Sequence, residues 1–370
     1  MNTTGMVKQR LESLDALRGF DMFWIMGADN LVMAIAAASG GSFWQEAAVQ
    51  MEHPAWNGFH FYDLIFPLFL FIAGVATPYS VGKALENGTS KQALLFRIIK
   101  RSLVLVLLGF IVNNHLSLKP IAEYRFGSVL GRIGLAYMFA NIIYLYCKER
   151  TQLIWFWSLL IGYWLLLKFT SAPGFPTGDL TMEGNFASYL DRQLMPGKLY
   201  LGIHDPEGFT STIPAISTGL LGIMTGSFLK NPAYTGQKKA LVMAGAGIAA
   251  LLLARLWNLD FPINKNLWTS SFVLYAGGFS LLLLAAFYYV IDVLGYKKWA
   301  FFFKVIGMNS ILIYISGIFI DWNYANNAFF KWLFQLFTEP TTGVVYAICY
   351  LLVKFAFLYF LYKKKIFLRV

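Results

Sequence analysis

The sequence contains little cysteine, little histidine and few charged residues. Among 370 residues there are 2 cysteines and 4 histidines, and only 13% of positions are charged, about half the share found in soluble domains. No Cys-x-x-Cys pair and no Cys/His spacing typical of zinc sites occurs, so we expect neither a disulfide framework nor a bound metal. The motifs GxxxxGK[ST], strand-associated GxGxxG and HExxH are also missing. ATP-driven transport and zinc-dependent hydrolysis are therefore poorly supported.

Hydrophobic residues make up 58% of the chain and come in blocks rather than being spread evenly. The blocks have the ~20-residue length that a helix needs to cross a bilayer, whereas a membrane β-barrel would show alternating segments of ~10 residues. The sequence therefore predicts an all-α, polytopic transmembrane helical bundle of about ten spans. The predicted spans lie near 14–38, 60–81, 96–113, 128–147, 152–169, 211–229, 239–257, 268–291, 301–320 and 343–362.

The net charge of +11 is better explained by membrane orientation than by nucleic-acid binding. Basic residues concentrate in alternate loops and near both chain ends, and the positive-inside rule then predicts that both termini are cytoplasmic. This set comprises Lys8, Arg10, Lys83, Lys91, Arg97, Lys100, Arg101, Lys148, Arg150, Lys230, Lys238, Lys239, Lys297, Lys298, Lys304, Lys363, Lys364, Lys365 and Arg369. The N-terminal stretch lacks a signal-peptide cleavage pattern, so the first span is expected to remain in the protein.

One segment between spans is long, at about 170–210, and it is rich in Gly, Pro and acidic residues. It is too short for a separate domain, so we expect an extracytoplasmic cap over the bundle. No internal repeat is visible, which weakly disfavours a transporter built from inverted repeats.

Ionisable residues inside predicted spans are functional candidates, because a charge in a bilayer is costly unless it is paired or hydrated. Asp15 and Arg18 lie three residues apart on one face of span 1, near its cytoplasmic end. They form either a structural ion pair or part of a site. Asp29 and Asn30 lie deeper, toward the outer end of the same span.

A histidine precedes span 2 in the stretch EHPAWNGFHFYDLIFP. The imidazole of His53 could take up and return a proton near neutral pH, as general base catalysis requires. Asp63 could orient that ring, and Asn57 lies between the two residues. A single histidine at a membrane interface is, however, more often structural.

Two further outer loops are dense in carboxylates and amides and suit recognition of a polyol or amino sugar. Turn formation and helix capping explain the same residues equally well. These residues are Asp205, Glu207, Asn264, Lys265 and Asn266.

Two polar residues are predicted inside later spans. The guanidinium group of Arg132 in SVLGRIG requires an anion, either a phosphate or a protein carboxylate. Asn309 in GMNS could form hydrogen bonds between helices or contact substrate.

The chain resembles the heparan-α-glucosaminide N-acetyltransferase family of transmembrane acetyltransferases. The matching pieces are SLDALRG, HPAWNG with DLIFPLFLFIAG, SVLGRIG, DPEGFTSTIP, INKNLW and GMNSILIY, which occur in the family's order over residues 11–316. The resemblance implies one transmembrane acyltransferase domain over residues 1–370. It also implies transfer of an acetyl group from cytoplasmic acetyl-CoA to an amino group across the membrane.

The resemblance also assigns roles to residues. His53 falls on the family's active-site histidine and Asp63 on the aspartate of DLxFP, while Asp15, Arg18 and Arg132 fall where CoA phosphates would lie. Asp29 stands where the family has an asparagine, and the loop at 36–51 is longer than in the lysosomal enzyme. These two departures leave the acceptor open.

The resulting hypothesis is an N-acetyltransferase that uses acetyl-CoA and an outer amino sugar of the glucosamine type. His53 would act as general base or acetyl carrier, and Asn30, Asn57 or a water molecule would stabilise the oxyanion. The alternatives are an amino-sugar transporter with Asp29 and Asp63 as ion sites, an O-acetyltransferase of a cell-envelope glycan, and a membrane scaffold. The short loops favour the bacterial cytoplasmic (inner) membrane, and a homodimer is left open.

Overall fold

The computed structural model describes residues 11–368, which form helices and connecting loops with no β-strand. The described chain contains one isolated β-bridge, between Arg125 and Gly197. The predicted all-α class is confirmed. Lys8, Arg10 and Arg369, which contribute to the predicted charge asymmetry, lie outside the described residues.

Nine long helices follow one another in the described chain. They are α1 (Glu12–Ser39), α2 (Phe61–Glu86), α3 (Lys91–Asn114), α4 (Val129–Tyr146), α5 (Glu149–Phe169), α6 (Thr212–Lys230), α7 (Gly236–Trp257), α8 (Ser270–Val293) and α9 (Thr341–Lys363). All except α3 are long and apolar enough to cross a membrane, so the protein is an integral membrane protein with eight candidate spans among its described residues.

The remaining two predicted spans differ from the other eight in charge or in continuity. Helix α3 has 24 residues, but its first half carries Lys91, Arg97, Lys100 and Arg101. The segment predicted at 301–320 consists of two short helices, Phe301–Gly307 and Ser310–Ser316, interrupted at Asn309. The total of ten spans and the cytoplasmic termini therefore stay predictions. Further short helices are Ser42–Val49, Phe186–Leu194 and Trp322–Phe334.

Helices α2 and α6 form the centre of the bundle, and glycines bring their backbones together. A Cβ atom added at Gly222 would overlap the carbonyl oxygen of Phe71, and one added at Gly74 would overlap the carbonyl oxygen of Gly219. Small residues allow this close approach, and van der Waals packing then stabilises the helix pair inside a bilayer.

Replacing Gly222 with valine is therefore expected to lower the melting temperature of the detergent-solubilised protein, since overpacking costs about 1–3 kcal/mol. The matched control is Gly162→Val on α5, where an added Cβ meets nothing within 4 Å. Scanning fluorimetry of both variants measures the effect. Equal melting temperatures for the two variants would contradict the packing argument.

The two ends of the bundle are held by different polar contacts. At one end, Asp292 accepts hydrogen bonds from the backbone N–H groups of Glu12 (3.3 Å) and Ser13 (3.2 Å). Glu12 also pairs there with Lys297 at 3.0 Å and with Lys304 at 2.9 Å. We call this the terminal end, because α1 begins there and α9 ends there. The opposite end, where α2, α4, α6 and α8 begin, is called the histidine end.

Helix α1 is broken in its middle. Gly27 has φ +128°, a conformation that L side chains rarely adopt. The break interrupts the helical hydrogen bonds, and Lys354 of α9 donates to the carbonyl oxygen of Met26 at 2.8 Å. This contact joins α1 to α9 just before Asp29, which starts the second half of α1.

Candidate active site at the histidine end

His53 and Asp63 come together because α2 begins with a tight turn. Asp63 belongs to the 3₁₀ turn Phe61–Leu64, where one carboxylate oxygen accepts the backbone N–H of His60 at 2.9 Å. Its other oxygen lies 2.6 Å from Nδ1 of His53. The Asp63 side chain is fully buried, whereas the His53 side chain is 49% exposed. A fixed, buried carboxylate therefore orients an accessible imidazole.

The contact with Asp63 determines which ring nitrogen of His53 is available. A carboxylate beside Nδ1 favours the tautomer in which Nδ1 carries the proton. Nε2 then carries the lone pair of the ring and can accept a proton from a reacting group, which is the arrangement used in catalytic triads.

Lys265 completes this cluster from the loop between α7 and α8. Its Nζ lies 3.2 Å from Nδ1 and 3.1 Å from Nε2 of His53, and 3.3 Å from Oδ1 of Asp63. Two nearly equal contacts place the amine against the ring rather than on a single lone pair. Burial lowers the pKa of the Lys265 ammonium group, and the Asp63 carboxylate opposes that shift.

These groups line the mouth of a cavity of about 490 Å³, here called the histidine cavity. The volume lies within the ~300–1,000 Å³ typical of small-molecule sites. Its polar mouth carries His53, Asp63, Lys265, Asn266, Glu207 and Arg125, while its depth is lined by Met22, Ile25, Ile65, Phe66, Phe69, Leu130, Ile133, Ile311 and Tyr314. The cavity thus suits a ligand with a polar end and a long, weakly polar body.

The two carboxylates predicted to contact an acceptor, those of Asp205 and Glu207, form ion pairs with Arg125. Both oxygens of Asp205 accept from Arg125, at 2.9 and 2.8 Å, and Glu207 pairs with the same guanidinium group. Although burial alone would raise it, the hydrogen bonds from Arg125 lower the pKa of Asp205. Asp205 is fully buried, so it holds the loop in place, whereas Glu207 and Arg125 reach the cavity.

The two asparagines of the INKNLW segment have separate positions. The amide oxygen of Asn264 accepts the backbone N–H of Leu267 at 2.8 Å, and its amide nitrogen donates to Asn57 at 3.0 Å. Asn264 is fully buried and Asn57 is exposed. Asn266, by contrast, lines the histidine cavity.

Asp29 and Asn30 lie outside the cavity lining. Asp29 interacts with the side chain of Tyr62, and Tyr62 lines the cavity with its ring centroid 5.4 Å from that of His53. Asn30 is exposed and donates to Asp29 at 3.2 Å. Asp29 therefore reaches the site through Tyr62, and Asn30 reaches it only through Asp29.

The segment predicted as a cap folds across the histidine end. Trp56, next to the His53 motif, donates its indole N–H to the carbonyl oxygen of Leu180 at 2.8 Å. Its ring also packs edge-on against His204, with centroids 5.2 Å apart. Burial lowers the pKa of His204 to about 4, and Ser188 lies 2.7 Å from its Nδ1. This neutral histidine packs inside the cap.

A second cavity, of about 250 Å³, opens toward the terminal end. We call it the arginine cavity, because Arg18 and Arg101 are its cationic lining residues. Arg18 lies 3.7 Å from Asp15. Arg101 donates to the hydroxyl of Tyr137 at 3.3 Å, and its buried Nε has no hydrogen-bond partner among residues 11–368. The pair of guanidinium groups suits an anionic ligand.

The two cavities meet at two apolar side chains. Phe69 of α2 and Ile311 of the short helix Ser310–Ser316 line both the histidine cavity and the arginine cavity. These side chains, called the Phe69–Ile311 partition below, separate two recesses that enter the bundle from opposite ends.

The structure separates Arg132 and Asn309 from the sites predicted for them. Arg132 lies at the histidine end, because α4 begins there; it bonds to Ser211 and to the carbonyl oxygen of Gly208 (3.3 Å). It is thus distant from Arg18 in the fold. Asn309 lines neither cavity and instead contacts backbone near the C-terminal end.

Two arginines of the cavities were missed as site candidates. Arg101 was predicted only to contribute to the charge asymmetry of the loops, and no role was predicted for Arg125. The signal for Arg101 was weak, because it stands directly after Lys100 at the start of the apolar run RSLVLVLLGF, where a long cationic side chain can reach the membrane surface without a partner. Arg125 pairs with Asp205 across 80 positions of sequence, and no local sequence pattern predicts this contact.

Comparison with known proteins agrees with the motifs. A family model described as a domain of unknown function (DUF5009) matches residues 10–170. The proteins named heparan-alpha-glucosaminide N-acetyltransferase from Homo sapiens and Mus musculus are each 30% identical over an alignment of 424 positions, gaps included, that covers 98% of this chain. The chain spans 60% and 61% of the length of those relatives. Over nearly its whole length, therefore, the chain is similar to the proteins named heparan-alpha-glucosaminide N-acetyltransferase, in line with the resemblance of its motifs.

Proposed function

We propose that this protein transfers an acetyl group from acetyl-CoA to the amino group of an amino sugar, with the two substrates entering from opposite ends of the bundle. The observation that carries the proposal is the pair of cavities that meet at the Phe69–Ile311 partition. One cavity presents guanidinium groups and the other presents a histidine oriented by a carboxylate. The relatives' name supplies the reaction.

The donor is assigned to the terminal end. Arg18 and Arg101 would bind phosphate oxygens of the CoA nucleotide. The uncharged pantetheine arm would pass the Phe69–Ile311 partition and lie along the apolar depth of the histidine cavity. With the termini in the cytoplasm, as the loop charges predict, this arrangement takes donor from the cytoplasm and acceptor from the other side.

The transfer then takes place at His53. The acceptor enters as an ammonium ion, loses one proton to solvent, and attacks the thioester carbonyl carbon with its nitrogen lone pair. Nε2 of His53 accepts the second proton as the C–N bond forms. The C–S bond breaks, the CoA thiolate leaves, and the imidazolium returns its proton to the sulfur. The products are the acetamido sugar and CoA.

Lys265 would stabilise the negative charge that develops on the carbonyl oxygen. Its Nζ is held 3.1 Å from Nε2 of His53, so it faces the region where the tetrahedral intermediate forms. A partly buried cation aimed at a developing oxyanion acts as a preorganised charge, the kind of interaction that accounts for a large part of the rate enhancement in many enzymes. Asn266, Glu207 and Arg125 remain to bind the sugar.

The direct test uses purified protein in proteoliposomes with acetyl-CoA supplied on one side and glucosamine on the other. We expect release of free CoA and formation of N-acetylglucosamine, both dependent on acceptor. An acceptor series containing a sugar with only hydroxyl groups decides between N- and O-acetylation. No acetyl transfer to any amine from either side would exclude the proposal.

A transporter is the second candidate, because two cavities separated by apolar side chains also describe an occluded transport path. Uptake of unmodified labelled glucosamine into proteoliposomes without acetyl-CoA would favour transport. Acetyl transfer without such uptake would favour the enzyme.

A further inference from the structure

The arginine cavity is bounded by the chain's own C-terminal segment, residues 366–368. Phe367 and Leu368 line the cavity together with Arg18 and Arg101. Lys365 has φ +57°, a left-handed conformation that turns the backbone at the end of α9. The segment thereby lies along the cavity instead of continuing the helix.

One buried side chain forms hydrogen bonds with both ends of this segment. Asn309 donates from its amide nitrogen to the carbonyl oxygen of Ile366 at 3.0 Å, and its amide oxygen accepts the backbone N–H of Leu368 at 3.0 Å. Its side chain is almost fully buried. One amide thus satisfies two backbone groups of a segment that has no helical partners for them.

The position of Asn309 links the segment to the cavity. It stands between the short helices Phe301–Gly307 and Ser310–Ser316, and its neighbours Gly307, Met308, Ser310 and Ile311 all line the arginine cavity. The interruption of this span therefore places backbone around the cavity and supplies the side chain that holds residues 366–368.

We infer that residues 366–368, held by Asn309, form one wall of the acyl-CoA site. This inference rests on the proposed function, because it assigns the arginine cavity to the donor. Asn309 acts through the segment and is therefore a positioning residue. Its loss is expected to weaken donor binding while the chemistry at His53 continues.

The first experiment compares steady-state kinetics of three chains. Asn309→Leu removes both hydrogen bonds, Asn309→Asp keeps only the acceptor of the Leu368 N–H, and a stop codon after Lys365 removes the segment. We expect KM for acetyl-CoA to rise by roughly tenfold for Asn309→Leu, as two lost hydrogen bonds predict, and by less for Asn309→Asp. The kcat and the acceptor KM should change little.

The matched control is Asn326→Ala. Asn326 is also buried and donates to the backbone of α9, at Tyr346 (3.2 Å), but at the histidine end. A rise in KM for acetyl-CoA of equal size in Asn326→Ala would mean general destabilisation and would overturn the inference. So would an unchanged KM in the truncated, active chain.

The second experiment remains decisive if the truncated chain fails to fold. A cysteine at Leu368, in a chain whose Cys147 and Cys349 are replaced by alanine, is labelled with a maleimide with and without CoA. We expect CoA to slow labelling at 368 and to leave a cysteine at the exposed Leu118 unaffected. If saturating CoA does not slow labelling at position 368 in an active protein, the inference about residues 366–368 is overturned, while the proposed function stands. A wild-type protein without acetyl transfer would instead refute the proposed function.

Discussion

Replacing His53 with alanine is expected to lower kcat for acetyl transfer by roughly 10²–10⁴-fold, the usual contribution of a positioned general base. The side chain is half exposed at the cavity mouth, so its removal should not disturb folding. KM for acetyl-CoA should stay nearly constant, because Arg18 and Arg101 lie in the other cavity. Initial rates of CoA release at saturating acceptor measure the effect.

The matched control is His115→Asn. His115 is exposed at the histidine end and has φ 50°, a left-handed conformation that asparagine tolerates. Asp63→Asn should lower kcat as well, because it removes the carboxylate that orients Nδ1 of His53. Full activity in His53→Ala would remove the catalytic assignment.

His53 could act as base or could itself carry the acetyl group, and one experiment distinguishes the two. Labelled acetyl-CoA is mixed with protein in the absence of acceptor. Acid-labile label on the wild-type protein and none on His53→Ala would indicate an acetyl-histidine intermediate. No label on either protein would favour direct transfer.

Replacing Lys265 with methionine is expected to lower kcat by roughly 10²–10³-fold, the loss measured when one oxyanion donor is removed. Methionine keeps the length of the side chain and removes its charge. KM for acetyl-CoA should again change little. A rise in the acceptor KM with kcat unchanged would instead make Lys265 a sugar-binding residue, which is the role first predicted from its loop.

The pH dependence of kcat tests the charge on Lys265. Burial lowers the pKa of this ammonium group below its ordinary value, so an enzyme that requires the cation should lose activity as pH rises through that lowered pKa. Lys265→Arg should move the loss to higher pH, because arginine stays protonated. If kcat of the wild-type protein and of Lys265→Arg falls at the same alkaline pH, the charge on Lys265 is not required for catalysis.

The long apolar helices were predictable because each of them carries its own signal. The predicted span 211–229 corresponds to α6, and the predicted span 239–257 corresponds to α7, which starts at Gly236. The prediction failed to anticipate the interruption at Asn309, because its effect depends on where residues 366–368 pack. Helix α3 starts at Lys91 rather than 96, since a helix can extend beyond its apolar run.

The individual site residues were predictable, but their grouping was not. His53, Asp63 and Lys265 were each singled out, yet Lys265 reaches His53 across 212 positions of sequence. Asp205 was predicted to bind substrate. A sequence does not show whether a carboxylate is already paired with a cation of the protein, so this prediction could not take the ion pair into account. Only the approach of Arg125 across 80 positions shows that it is paired.

The Phe69–Ile311 partition has an electrical consequence. Two recesses that open toward opposite ends of the bundle leave little protein between them, so a voltage across the bilayer would fall mainly over these two side chains. Moving one elementary charge through that short distance would involve nearly the full ~2.3 kcal/mol per 100 mV. The membrane potential would not change the free energy of moving a neutral thioester arm past the partition. It would change the free energy of moving a sugar ammonium ion by nearly the full amount. Acetyl transfer should therefore be independent of membrane potential, and transport of the cationic sugar should not.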